Sequence, residues 1–567
     1  MSTTPNALFA ACGPSRLTEN GDATNASAGD ARVDSFYNIH DDASRSSIVD
    51  HLAAAWCVDA TDALRLVFYL LDVRAGKGST TPALHCLQWL HDHHPVTLRA
   101  NLEYIRQLGC IRDYATLLLM VRADPAALAD WRRKSTNCQR DHYKCSPFYK
   151  TLRNVALSET DHTLNSAIVD LFAAALISDK ARMDDAQPVS LYAKWLPTQD
   201  SYLNRATRLY DDVALAVYSL DRQTNGQQHT RRPLLHARNH LRRKYVSPLR
   251  QYSKVTERLM SDGEWTNIRY SGVPSKCMSR NAAHFRRHDP SGWQNFLNDA
   301  TTGTTQVHAG TLKPHEILFP SKKTGELSDE LANAQWQSYV AGLRKSGSLD
   351  SAIALCDVSG SMQGQPLCIA IALGMLIATV TTPPWQDHLI SFSQDPQFHL
   401  IEGATLAERV RSIKAMNWES NTDFDRVFDH ILQRAQRHSV KADEMPRTLF
   451  VLSDMQFDQA DPTMTTTAFE RIDAKYAAAG YSRPQIVFWN LRASSEVPVT
   501  VTTQGTALVS GFSGNLLKLF LDGQDFQDWD MVERAPEDAL VRPPPTPMDI
   551  MRKAIDAERF AGLKVVD

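Results

Sequence analysis

Five oxygen-bearing side chains in the last third of the chain have the types and spacing for cation chemistry. The stretch Asp357-Val358-Ser359-Gly360-Ser361 sets one carboxylate and two hydroxyls at every second position. Thr422, in Ser420-Asn421-Thr422-Asp423, stands just before a run with helical spacing, and Asp454 directly follows the apolar run TLFVLS. Two carboxylates with three hydroxyls form a hard, oxygen-only donor set of low charge, which suits Mg²⁺ or Mn²⁺ with retained waters and does not suit zinc. If water holds one remaining position, an acidic side chain of a partner protein can replace it, and the ion becomes a docking point. A strand-ending aspartate can also accept a phosphoryl group, but the second aspartate that usually accompanies it two residues later is here Ser359. No base or nucleophile stands beside the cluster, so the expectation is a protein that is not an enzyme, rather than a metal-assisted hydrolase.

Such a donor set converges only if strands deliver it to one edge. From about residue 346 short β-rich runs alternate with helical ones. SAIALCD, HLISFS, FHLIE, RTLFVLSD, QIVFWNL and ALVSGF read as strands, with FHLIE a short edge strand; PLCIAIALGMLIATV, AERVRSIKAM, FDRVFDHILQRAQ, AFERIDAKYAAAG and NLLKLFLDG read as helices. That alternation predicts a doubly wound, Rossmann-like α/β domain over residues 346–540, in which ligands gather where the strands end. A Pro-rich linker and a last short helix with its tail occupy 541–567.

Upstream, residues 46–345 carry apolar residues at helical spacing, as in ALRLVFYLLDVR, ALHCLQWLHDHH, YATLLLMVR and NSAIVDLFAAALISDKAR. This predicts an all-helical, HEAT-like region of antiparallel helix pairs, although no strict repeat period is present. Residues 1–45, rich in Ala, Ser, Thr, Asn, Gly and Asp without periodicity, are expected to be a disordered tail.

The DVSGS run, Thr422 and Asp454 resemble the metal-ion-dependent adhesion site (MIDAS) of von Willebrand factor type A (vWA) domains. The resemblance implies that Ser359, Ser361 and Thr422 approach the metal directly while Asp357 and Asp454 act largely through water. From about residue 60 onward the chain also resembles an uncharacterised family that joins a vWA domain to a helical region similar to the TROVE module of Ro ribonucleoproteins. The segments that carry this are LVFYLLDVRAGKG, WLHDHHPVTLRANLEYIRQLG, SLYAKWLPTQDS, WTNIRYSGVPSKCM, LSDMQFDQA, IVFWNLR and ALVSGFSGNLLKLFL. The likeness implies a ring-like helical array that binds structured or single-stranded RNA through basic residues.

A basic block of the kind that implication needs lies between residues 231 and 287. Arg231, Arg232, Arg238, Arg242, Arg243, Lys244, Arg250 and Lys254 form its leading part, interleaved with Tyr245, Tyr252, Trp265 and Tyr270, as phosphate tracking and base stacking require. A solvated helix face balanced by acidic residues elsewhere is the plainer alternative. With RNA the chain reads as a ribonucleoprotein scaffold; without it, as a metal-dependent protein–protein assembly adaptor.

Several features carry less. Gly76-Lys77-Gly78-Ser79 lacks the first glycine of a phosphate loop, because position 71 is Leu, and reads as a turn between helices. His91, His93 and His94 fall at a helix end, and Cys138, His142 and Cys145 lack a fourth ligand at a metal-site spacing. The 567 residues imply more than one domain, and the net charge of −3 points to no particular partner. Nine unpaired-looking cysteines, no leader and no apolar run of about 18 residues predict a cytoplasmic or nuclear protein without a membrane partner.

Overall fold

The computed structural model describes residues 16–17, 23–122, 158–225, 233–320, 329–347, 349, 351–357, 359–392, 396–416, 424–455, 466–492, 497–521 and 544–567. The chain forms two compact units, one of Met1–Pro82 with Arg269–Gly562, the other of Ala83–Ile268 with Leu563–Asp567.

The first unit is built on a six-stranded sheet. Its strands are β1 (Ala352–Asp357), β2 (His388–Phe392), β3 (Phe398–Leu400), β4 (Thr448–Ser453), β5 (Gln485–Asn490) and β6 (Thr506–Ser510). They lie in the order β3-β2-β1-β4-β5-β6, parallel except for β3, which pairs antiparallel with β2 at one edge. Every residue of β1, β4 and β6 is buried, as expected of strands covered on both faces, whereas β3 is only partly covered. Chain order reverses between β1 and β4, and a crevice opens at the carboxyl ends of strands where such a reversal occurs.

Helix Gln365–Val380 crosses directly beneath β1, where a β-carbon on Gly374 would meet Cys356 Sγ at 2.5 Å. The absence of a side chain there sets how closely helix and sheet approach. Helices Leu406–Lys414, Phe424–Arg437 and Thr466–Ala478 follow the expected alternation. NLLKLFLDG instead forms a 3-10 turn, Gly514–Leu517, running into the four-residue helix Lys518–Leu521.

Two expected boundaries are corrected. Residues 31–38, assigned to the tail, form helix Ala31–Asn38, with Asp30 capping its start and Val33, Phe36 and Tyr37 buried. Their i, i+3, i+4 spacing buries an apolar face that the polar composition of the surrounding 45 residues conceals. The helical region 46–345 is also not one spatial block: its ends, residues 46–82 and 269–345, belong with the sheet, and only its middle stands in the second unit.

Lys77, in the Gly-Lys-Gly turn, shows how the early residues join the sheet. Its ammonium donates to the carbonyls of Phe36 and Ile39, the latter at 2.8 Å, and to Ser510 Oγ at 2.8 Å. It thereby satisfies the carbonyl end of helix Ala31–Asn38, which has no basic residue in its own last turn, and ties that end to β6. Asp62 binds Arg32 at 2.9 Å and Arg552 at 2.6 Å, linking helices Ala31–Asn38, Ala60–Leu71 and Pro547–Ile555.

The second unit is helical among its described residues. Its larger helices are Thr80–His93, which begins in the first unit, Arg112–Arg122, Glu159–Asp184, Leu209–Asn225 and Pro233–His240. The last of these continues through a π-helical turn, Leu241–Val246, into Ser247–Tyr252. The chain's final residues belong here: Asp567 accepts from the Val96 and Thr97 amides, both at 2.8 Å, at the start of helix Pro95–Ala100. Among the described residues no helix is long and apolar enough to cross a membrane.

Candidate metal centre

Strand pairing brings the oxygen donors together. Cys356 on β1 lies opposite Leu452 on β4, so the carboxyl ends of the two strands coincide and Asp357 faces Ser453, with Asp454 next. Ser453 Oγ donates to Asp357 Oδ2 at 2.5 Å, and the Ser359 amide donates to Asp357 Oδ1 at 2.9 Å. The second bond turns the chain back over the strand end into the 3-10 turn Gly360–Met362. That turn brings the Ser359 and Ser361 hydroxyls within 2.9 Å of each other.

Asp357 and Asp454 are almost fully buried, whereas the two serines remain partly open to solvent. Burial pushes the Asp357 carboxyl up to about 6, opposed by the Ser453 hydroxyl and reinforced by the neighbouring Asp454 charge. Two carboxylates held this close in a buried pocket repel each other, and a divalent cation relieves that repulsion. The oxygen-only chemistry therefore fits Mg²⁺ or Mn²⁺. Among the described residues no group of three or more His, Cys, Asp and Glu side chains is arranged to hold a metal. Thr422, the fifth expected donor, lies outside the described residues.

Two nearby residues escaped the sequence reading. Ser453 could have been found from the register, since a residue opposite a strand-ending aspartate is placed to bond it. Arg492 lies two residues beyond the end of β5, and donates from Nη1 to the Ser361 carbonyl at 3.1 Å while standing 3.8 Å from Asp454 Oδ2.

The basic block is divided between the two units. Arg231 and Arg232 lie outside the described residues. Arg238 makes a bidentate pair with Asp211 at 2.7 and 2.6 Å, Lys244 pairs with Asp221 at 2.8 Å, and Arg250 donates to the Ala193 and Leu196 carbonyls. Arg242, Arg243 and Lys254 are exposed, the first two on the π-helical turn. Of the expected stacking residues, Tyr245 and Tyr270 are buried and Tyr252 is exposed. The Cys138, His142 and Cys145 group lies outside the described residues.

A mostly parallel α/β sheet with an oxygen-rich loop at its point of reversal, preceded by a long helical region, defines the architecture. Residues 18–146 and 128–349 match the family described as Domain of unknown function (DUF2828), and together these segments take in more than half of the chain. The chain belongs to that family. Residues 351–555 match a second description, Domain of unknown function (DUF7788). The chain is similar to Uncharacterized protein L728 of Acanthamoeba polyphaga mimivirus, 28% identical over 547 residues that make up 93% of this chain and 88% of that protein. Among solved structures it is similar to the Ro (RSR) protein of Deinococcus radiodurans, 17% identical over 84% of this chain and 94% of that one, with a TM-score of 0.31, a likeness too loose to define a shared fold.

Proposed function

We propose that the chain is a non-enzymatic intracellular scaffold whose sheet unit is a vWA-type domain. In this reading Asp357, Ser359, Ser361, Thr422 and Asp454 hold Mg²⁺ or Mn²⁺ and dock an acidic side chain of a partner protein. The observation that carries it is the convergence of the Asp357–Ser361 loop and Asp454 at the ends of two adjacent strands, where the chain order reverses. When bound, the ion supplies a Lewis-acidic coordination position for an incoming carboxylate. The residues of the chain do the rest: Ser453 and the Ser359 amide orient Asp357, and the 3-10 turn holds the two half-buried serine hydroxyls side by side.

RNA binding by the helical unit is a second reading, favoured by the exposure of Arg242 and Arg243 on a π-helical turn, a feature frequent at functional sites. The engagement of Arg238, Lys244 and Arg250 in internal bonds narrows that surface, and the metal-dependent adaptor is the reading that the geometry supports best. Affinity purification of the full chain in Mg²⁺ and in EDTA, beside Asp357→Ala, tests both. The adaptor requires protein partners present in Mg²⁺ and lost in EDTA and in the variant. Recovery of the same proteins under all three conditions contradicts it, and co-purifying RNA that resists EDTA but is lost in Arg242→Glu/Arg243→Glu supports the second reading.

A further inference from the structure

Arg492 sits where a positive charge would bear on the candidate centre, and no part of the function proposed above uses it. Its position is built. The Leu491 amide donates to the Ser453 carbonyl at 3.0 Å, extending the β5–β4 pairing beyond the strand ends, and the Arg492 amide donates to Asn490 Oδ1 at 2.9 Å. These bonds direct the Arg492 side chain across the ends of β4 and β1. There Nη1 spans the Ser361 carbonyl, at 3.1 Å, and Asp454 Oδ2, at 3.8 Å. The Arg492 side chain is 46% exposed while that of Asp454 is 0% exposed, so the pair joins a solvent-facing cation to a buried carboxylate.

We infer that Arg492 is a built-in counter-cation that sets how tightly the centre takes a divalent ion. The inference rests on the metal reading of Asp357, Ser359, Ser361 and Asp454. A cation that uses Asp454 shares that carboxylate with the guanidinium, and two positive charges within a few ångströms of one buried oxygen repel, a repulsion that solvent on the exposed side of the arginine weakens without removing. The hydrogen bond to the Ser361 carbonyl has a separate effect, because it clips the serine turn to the end of β4. Charge and clip therefore act in opposite directions on the site, and two substitutions separate them. Arg492→Gln removes the charge and retains an amide donor for the carbonyl; Arg492→Lys retains the charge.

The test is calorimetric titration of the full chain with Mn²⁺ at low ionic strength, with circular dichroism to verify the fold. Arg492→Gln is expected to bind Mn²⁺ roughly tenfold more tightly than the wild type, and Arg492→Lys to stay within about twofold of it. The gap between wild type and Arg492→Gln should narrow as NaCl is raised, since the side chain is half-exposed. Equal or weaker binding by Arg492→Gln beside a wild type that binds Mn²⁺ overturns the counter-cation and leaves the metal reading intact. Failure of the wild type and both variants to bind Mn²⁺ removes the metal reading, and Arg492's role with it.

Discussion

At the scale of single residues, the account turns on buried negative charge. Asp357 is nearly inaccessible and sits beside Asp454, and burial raises its carboxyl to about 6. A carboxyl raised above its unfolded value favours the fold fully only below the unfolded pKa, and that contribution is lost as the pH climbs through about 6. At neutral pH in EDTA the ionised form therefore costs stability. Asp357→Asn should raise the free energy of unfolding by urea in EDTA, by on the order of 1–3 kcal/mol, while abolishing any stabilisation by Mg²⁺. Denaturation curves with and without Mg²⁺ test this, and a variant less stable in EDTA contradicts it. The strand-end positions of Asp357 and Asp454 were legible because both residues terminate apolar runs that read as covered strands. The approach of Arg492 to Asp454 was not legible, since an arginine after a strand is ordinary until the folded chain carries its side chain to within 3.8 Å of that carboxylate.

At the scale of elements, the six strands were readable because short apolar runs bounded by polar residues leave few alternatives, and the polar partner FHLIE fitted an edge. Helix Gln365–Val380 packs closely on β1 at Gly374, so Gly374→Ala should destabilise the sheet unit by about 1–3 kcal/mol through overpacking against Cys356, read as a lowered melting midpoint. An unchanged midpoint would mean that the helix can move away at no cost. Helix Ala31–Asn38 was hidden because eight residues with a buried face are diluted by a polar neighbourhood, and its partner Lys77 is 41 positions from Phe36. Burial pushes the Lys77 ammonium down to about 7, opposed by the negative charge of Asp41. A lysine lowered in the fold contributes fully only above its unfolded value, and that contribution is lost as the pH falls through about 7. Between pH 7 and 10 the wild type should therefore gain stability relative to Lys77→Met, by on the order of 1–3 kcal/mol. Parallel curves for the two proteins would show that the ammonium keeps its proton throughout.

At the scale of the whole molecule, the change of texture near residue 345 marks where the sheet begins and is not a boundary in space. Residues 25–82 and 269–345 bury their apolar faces in the same unit as the strands, and the chain's last five residues belong to the other. Composition along the chain follows which element is being built, whereas a spatial unit depends on which faces meet, and only the first is local. A fragment of residues 346–540 should accordingly fail to unfold cooperatively on heating, because it lacks helices Ala31–Asn38, Ala60–Leu71 and Pro547–Ile555 and the Lys77 tie to β6. A sharp thermal transition matching that of the full chain would contradict this division.

The most direct measurement of the central claim is the number of Mg²⁺ or Mn²⁺ ions bound per full-length chain, by equilibrium titration, for the wild type, Ser359→Ala and Asp357→Ala. The account predicts one saturable ion per chain in the wild type and its loss in both variants, with helical and sheet signals retained. Binding that is absent from the wild type, or indifferent to both substitutions, would contradict it.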